Sequence, residues 1–465
     1  MNQAHSPAPS PLTCNGPAED TALAAMANLQ SAQGTELGKL PPLQAVPEQW
    51  QTAEGSKVSF LARHDRPMFD LALRFRAGSA LDGTTAGLAA LVLYSLDQGT
   101  AQRDATRFAE ELAGFGAIMG RKISDDCAVI TLRALSLPAL RASVMQLLTD
   151  MVARPAFRSA DVAKIGERLV FSHARYGNHP IWRITKATTA HIFSGHPYAA
   201  NLTAETIGNI SEDQIRDFHK QAYSANNLDI GLVGDLDREA AEQLVNDLVR
   251  ALPQGWAAQT TPPLPEYQPL DLNLVAATSA TQSALTLATK VSPHDPVFPA
   301  LHLLNTILGS SYESRLTQEL RTLRNLTYAI SSDLKPLDAA SQLQIHWDIA
   351  PQYRDASGAL VSGILACLGE RGPSQPECDM AVNQIAGRLH ERLADSAALA
   401  VALATYNHQG LPPDHLATFL DKLSVLTPAE LREAAQVWLS APQVFITTGP
   451  VTEQLPLPTP PPLDQ

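Results

Sequence analysis

The segment SRLTQELRTLRNLTYAI sets Arg321 seven residues before Tyr328. A guanidinium and a phenol are both hydrogen-bond donors. Aimed at a point where negative charge develops, they stabilise an oxyanion. To be presented that way, Arg321 should close a helix, the chain should turn at Asn325, and Tyr328 should open the next strand. The competing reading has Arg321 paired with a surface acid and Tyr328 packed in a sheet. Arg315 and Glu319, one helical turn apart in the same segment, are expected to pair with each other.

Other chemistry is scarce. No two of the 13 histidines are four residues apart, so neither H-x-x-E-H nor H-E-x-x-H occurs. His173, His179, His191 and His196 lie close in the chain, but their spacing does not put them on one helical face. They read as solvated or core histidines rather than metal ligands. P-loop, G-x-S-x-G and dinucleotide signatures are missing. Cys14, Cys127, Cys367 and Cys378 are too few for a disulfide scaffold, and they include no C-x-x-C. A Cys367–Cys378 bridge is left open.

Composition sets the frame. With 465 residues the chain is too long for one ordinary core, and 45% hydrophobic with 17% charged residues is a core-forming balance. A formal net charge of −13 repels phosphate backbones, which excludes nucleic acid as an expected partner. No apolar run is long enough to span a membrane. The first residues lack a basic stretch followed by an apolar one. The expected compartment is therefore the cytoplasm, or the periplasm if a leader has been removed.

The elements that must position Arg321 and Tyr328 belong to the second of two similar halves. In the first, SKVSFLA and FDLALRFRAGS read as strands about a turn at RHDRP. GLAALVLYSLDQGT reads as a buried helix, ATRFAEELAGFGA as an amphipathic one, and CAVITLRAL as a strand. Long helices interrupted near Gly177 and Pro180 follow, then the strand NNLDIGLVGDLD. After a proline-rich stretch the order restarts. SALTLATKVS mirrors LALRFRAGS, VFPALHLLNTILGSS mirrors GLAALVLYSLDQGT, LQIHWDIA mirrors AVITLRAL, and QVFITTG mirrors DIGLVGD. Helices are expected over 353–370 and 375–395. The expected fold class is α+β, two homologous domains, each a mostly antiparallel sheet flanked by helices. The expected division is a flexible arm over 1–38, with one short helix around TALAAMANLQ, and a first domain over 39–253. A linker over 254–270, a second domain over 271–452 and a proline-rich tail over 453–465 complete it.

FRAGSALDGTTAGLAALVLYSLDQGT resembles the first-domain core of the pitrilysin-type zinc peptidases, the family of insulin-degrading enzyme and the mitochondrial processing peptidase. The stretch from HPY to VGD, residues 196–235, and GSSYESRLTQELRTLRNLTYAISS resemble further family segments. The style is closest to the short bacterial members that work as two-subunit enzymes. Active members carry H-x-x-E-H on the first-domain helix, with zinc held by the two histidines and a downstream glutamate. In that register the histidine positions are Ala90 and Tyr94, the catalytic glutamate is Leu93, and the third ligand falls near Ala174. None of these binds zinc as the family does, so the resemblance implies no metal in this chain. Ala90 and Leu93 should simply pack, and the Tyr94 hydroxyl should find a local hydrogen-bond partner.

The resemblance also implies a role for the pair that opens this section. In the family, a second-domain Arg and Tyr at this spacing reach across to the zinc site. Arg321 and Tyr328 would do so in trans. The chain would be inactive alone, a non-catalytic subunit forming half of a clamshell around peptide substrates. Zinc would reside in a homologous H-x-x-E-H partner. Two other readings stay open: an inactive peptidase-fold scaffold in a larger complex, and a free-standing peptide-binding homodimer.

Overall fold

The computed structural model describes residues 46–293 and 295–459. The arm at 1–38, with TALAAMANLQ, and the end of the tail lie outside the described residues. Two sheets form the framework. The first contains β1 (Glu48–Gln51), β2 (Lys57–Ala62), β3 (Met68–Phe75), β4 (Ile118–Ile123), β5 (Ala128–Leu135) and β6 (Leu228–Gly234), in the order β1-β2-β6-β3-β5-β4. The second contains β7 (Leu270–Val275), β8 (Thr281–Thr289), β9 (Ile330–Pro336), β10 (Ser341–Ile349) and β11 (Val444–Gly449), in the order β7-β11-β8-β10-β9.

The second order repeats the first once β1 is set aside. In each sheet one neighbouring pair is parallel, β2 with β6 and β7 with β11, and the others are antiparallel. The matched segments also hold matched helices: Leu88–Ser95 follows β3 as Phe298–Leu308 follows β8. The expected helices over 353–370 and 375–395 are present as Arg354–Arg371 and Gln375–Ala394.

Sequence reasoning missed an exchange of helices between the halves. The helix Pro180–Ile192, which precedes the first half's last strand, packs on β11 and β8 of the second sheet. There Ile184, Ile192 and Phe193 share a core with Ala284, Ala288, Val444 and Ile446. Conversely, Ser396–His408 crosses to β6, β3 and β2 of the first sheet, where Ala72 and Val233 meet Leu399, Ala400, Leu403 and Ala404. This covering explains why β6 is buried at all seven positions: a strand covered on both faces loses its polar–apolar alternation. The exchanged helix is alanine-rich, SAALAVALATYNH, which favours helix and allows close approach. Gly231 of β6 completes the fit, because a Cβ there would sit 1.9 Å from the Ala400 carbonyl oxygen.

Polar ties cross the same interface. Asn407 donates to the Ile230 carbonyl at 2.9 Å and accepts from the Ser59 hydroxyl at 2.6 Å. His408 stands between two carboxylates, 2.8 Å from Asp338 of the β9–β10 turn and 3.4 Å from Asp229 of β6. Burial disfavours its charge, but the two carboxylates outweigh it and hold its pKa above the ordinary histidine value. The Cys367–Cys378 bridge that the sequence left open does not form, since Cys378 carries a free, buried thiol. Among the described residues no helix is long and apolar enough to cross a membrane.

Candidate functional site

The helix Leu88–Ser95 is short and apolar. Its N-terminus is fixed by Asp82, whose carboxylate accepts from the Gly87 and Ala89 amides at 2.7 Å each. Burial of Asp82 raises its pKa to about 6 in spite of those two hydrogen bonds. Gly87 precedes the helix at φ 100°, a left-handed conformation that glycine adopts without strain. At the other end Arg121 of β4 reaches back. It donates to the Tyr94 carbonyl at 3.3 Å and to Asp97 at 2.6 Å, complementing the helix C-terminus.

The positions that the resemblance assigns to a metal site hold packing side chains. Leu93, in the glutamate position, is 0% exposed, while Ala90 and Tyr94 are half-buried and packed in the helix. Tyr94 corrects one expectation: its ring, not its hydroxyl, finds a partner, with the Arg121 guanidinium 5.6 Å above it. Ala174 lies exposed on the helix Ser159–Gly177, which packs beside Leu88–Ser95. This donor set does not fit zinc. An alanine, a leucine and a tyrosine beside a cation replace two imidazoles and a carboxylate. Among the described residues, no three His, Cys, Asp or Glu side chains converge as a metal site. His191 and His196 turn their Nε2 atoms to the carbonyls of Gln268 and Pro262 at 2.8 and 2.9 Å. His173 meets the edge of Trp182.

The second half holds a different arrangement. Gly309 ends the helix Phe298–Leu308 in a tight place, where a Cβ would lie 2.8 Å from both Leu316 and Ser332. The loop after it is braced from several sides. Arg388 bonds the Ser310 hydroxyl at 2.8 Å, Ser314 donates to the Ser311 carbonyl at 2.6 Å, and Gln318 donates to the Tyr312 carbonyl at 3.3 Å. Arg315 pairs with Glu377 through two hydrogen bonds at 2.7 and 2.9 Å, and it donates to the Gly372 carbonyl at 3.0 Å. The expected Arg315–Glu319 pair is thus replaced. A long-range carboxylate, fixed by the N-terminus of Gln375–Ala394, captures Arg315, and Glu319 bonds Arg324 at 3.1 Å instead. Burial pushes the Glu377 pKa up, but Arg315 and Ser374 more than offset it and leave the carboxyl below its ordinary range.

Residues Thr317–Leu323 form a π-helical turn, with Leu316 and Leu320 fully buried beneath it. Such turns widen the helix and displace one side chain from regular α-helical register. Arg321 sits in this turn. Asn325 then takes φ 51°, and the Leu326 amide reaches back to the Leu320 carbonyl at 2.8 Å. Tyr328 does not open the strand as expected. It precedes β9 by two residues, in a segment pinned by Thr327, whose hydroxyl donates to Asp348 at 2.7 Å and accepts from the Ala329 amide at 3.2 Å. The shift follows from that anchor, which is made before sheet pairing begins.

The two predicted residues meet. The Arg321 guanidinium lies 4.7 Å from the centre of the Tyr328 ring and, on a second ring that sequence reasoning missed, 5.4 Å from that of Tyr312. Tyr328 is 80% exposed and Tyr312 60% exposed. Among the described residues no carboxylate pairs with Arg321 and no hydrogen bond occupies its N–H groups: Arg324 holds Glu319, and Gln318 holds Glu313 at 2.9 Å. The competing reading, with Arg321 paired to a surface acid and Tyr328 in a sheet, does not describe this site. No spacing rule links Tyr312 to Arg321, because an irregular loop sets their distance.

Comparisons with known proteins agree with this picture. The sequence pattern of the peptidase M16 inactive domain matches residues 209–385. A non-peptidase homolog from Helicobacter pylori is 24% identical over 408 residues, which cover 85% of this chain and 93% of that protein. An uncharacterized zinc protease from Mycobacterium leprae is 23% identical over 333 residues, 69% of this chain and 73% of that protein. The crystal structure of a peptidase M16 inactive domain from Pseudomonas fluorescens superposes with a TM-score of 0.85 at 30% identity, covering 89% of this chain and 100% of that one. With its duplicated sheets and this likeness over nearly its full length, the chain belongs to the pitrilysin-type M16 peptidase family, among the members described as inactive.

Proposed function

We propose that this chain is the non-catalytic subunit of a two-subunit zinc peptidase. A homologous H-x-x-E-H partner would hold the zinc and the general base. This chain would supply half of a clamshell chamber for peptides, together with Arg321 and Tyr328 at the partner's site. The observation that carries the reading is the half-buried guanidinium of Arg321, without an ion pair among the described residues, beside the exposed phenol of Tyr328. Among the described residues neither the Arg321 guanidinium nor the Tyr328 hydroxyl has an acceptor, which leaves both donors available to one from outside the chain. On closure the Tyr328 hydroxyl would donate towards the developing oxyanion and Arg321 towards substrate carbonyls.

The test is a quenched-peptide assay with zinc on this chain alone, the sister alone, and the two mixed. Activity is expected only in the mixture. Replacing Tyr328 by Phe should lower turnover of the mixture by about a hundredfold, the usual effect of deleting one oxyanion donor, with assembly and zinc content unchanged. Confirmed binding without activation would instead assign the chain to a scaffold role.

A further inference from the structure

We propose that Tyr312, Arg321 and Tyr328 together form a receptor for a carboxylate carried by a peptide. This assignment rests on the reading of the Arg321–Tyr328 pair as substrate-facing, and it adds both a residue and a ligand chemistry. Two rings flank one guanidinium, at 5.4 and 4.7 Å from their centres. The N–H donors of a guanidinium lie in one plane along its edge. That edge matches the two oxygens of a carboxylate.

The donors are free because each nearby acid is already held: Glu319 by Arg324 and Glu313 by Gln318. Those acids also limit the ligand. With Glu319 and Glu313 close in the chain, the site as a whole carries little net positive charge, which suits a monoanion better than a phosphate dianion. The exposed rings give the flanking peptide backbone apolar surface to lie on. Tyr312 is held for this purpose by its loop, since Arg388, Ser314 and Gln318 fix the backbone on either side of it.

Binding to this chain alone tests the assignment. Three fluorescent peptides of otherwise identical sequence are titrated by anisotropy: one with a free C-terminus, one amidated, and one amidated with a single internal Glu. The free acid should bind about tenfold more tightly than the amide, the scale of one charge-assisted bidentate contact at a wet site. Arg321→Gln should erase that difference. Tyr312→Ala should weaken the acid about threefold, as for loss of one exposed cation–π contact, while Tyr312→Phe retains binding. If the internal-Glu peptide follows the free acid, the site takes any peptide carboxylate; if it follows the amide, the site takes the C-terminus. Either outcome supports a carboxylate receptor. Equal binding of acid and amide, or an acid preference that survives Arg321→Gln, overturns it, and wild-type affinity in Tyr312→Ala removes Tyr312 from the site. The same variants in the mixed complex, assayed on an amidated substrate, separate the two proposals. Turnover lost without any carboxylate preference leaves the accessory role standing and sinks the receptor. Carboxylate preference without turnover loss does the reverse.

Discussion

At the Leu88–Ser95 helix the side chains are committed to packing or to an internal ion pair. Leu93 is sealed in the core, Asp82 satisfies the first amides, and Arg121 with Asp97 closes the last turn. At the Thr317–Leu323 turn the opposite holds: the frame is braced by Arg315, Glu377 and Ser314, but Arg321 and Tyr328 themselves point out with nothing internal to bind. Where a function is gone, a fold tends to satisfy its buried polar groups. Unsatisfied donors held outward on a rigid frame suggest that something external completes them. The contrast can be broken or sharpened by measurement.

The largest effect should come from rebuilding the zinc motif. The triple substitution Ala90→His, Leu93→Glu, Tyr94→His places a carboxylate in a fully buried position and an imidazole beside Arg121. A loss of about 4 kcal/mol in unfolding free energy is expected, from a buried charge without a partner and the lost leucine packing. Zinc should not be retained through dialysis, because Ala174 supplies no third ligand. Stable folding with bound zinc would show that the helix has kept more of its old site than its contacts indicate.

Next comes the frame of the second site. Removing the Arg315 side chain leaves Glu377, which is 8% exposed, without its bidentate partner. A destabilisation of about 3 kcal/mol by chemical denaturation is expected. Because the Glu377 carboxyl is held below its ordinary pKa, the pair contributes stability above the unfolded value, and that contribution is lost as pH falls through the lower folded value. The difference between wild type and Arg315→Ala should therefore shrink in acid. A constant difference would mean the pair contributes packing only.

His408 predicts the opposite slope. Its folded pKa lies above the ordinary value of 6.5, so its contribution is complete below pH 6.5 and is lost as pH rises through the folded value. Asp229 and Asp338 favour the charge, and Arg74 opposes it. Thermal melts from pH 6 upward, compared with His408→Gln, should show wild type losing its advantage as pH rises. Parallel curves would mean that His408 is not the proton-linked tie between the halves.

Much of this was legible in the sequence, and the failures have physical causes. The repeat of strand order followed from segments such as LQIHWDIA and AVITLRAL, whose local patterns reflect their own sheets. The absence of H-x-x-E-H is itself a fact of sequence. The helix exchange was not readable, since SAALAVALATYNH states that it is an apolar helix without naming the sheet it covers. Arg315 was given the wrong partner because a spacing rule sees Glu319 and cannot see Glu377, brought near by a later helix. Tyr312 escaped for a similar reason: a braced loop, with no sequence period, sets its distance from Arg321.

The smallest expected effect is the most discriminating. Arg321→Gln should change the unfolding free energy of this chain by less than about 0.5 kcal/mol, the range for a partly accessible residue that holds no ion pair or cap. The reason is visible in the contacts: only two exposed rings touch the guanidinium, and no ion pair or hydrogen bond is broken among the described residues. An arginine kept for the fold would behave like Arg315, whose removal strands a buried acid. Denaturation curves of Arg321→Gln and Arg315→Ala, measured side by side, make the comparison direct. If both fall together, Arg321 belongs to the frame and the two regions do not differ in kind. If only Arg315→Ala falls, Arg321 is dispensable to the fold, and its place at the surface must be explained by what it binds.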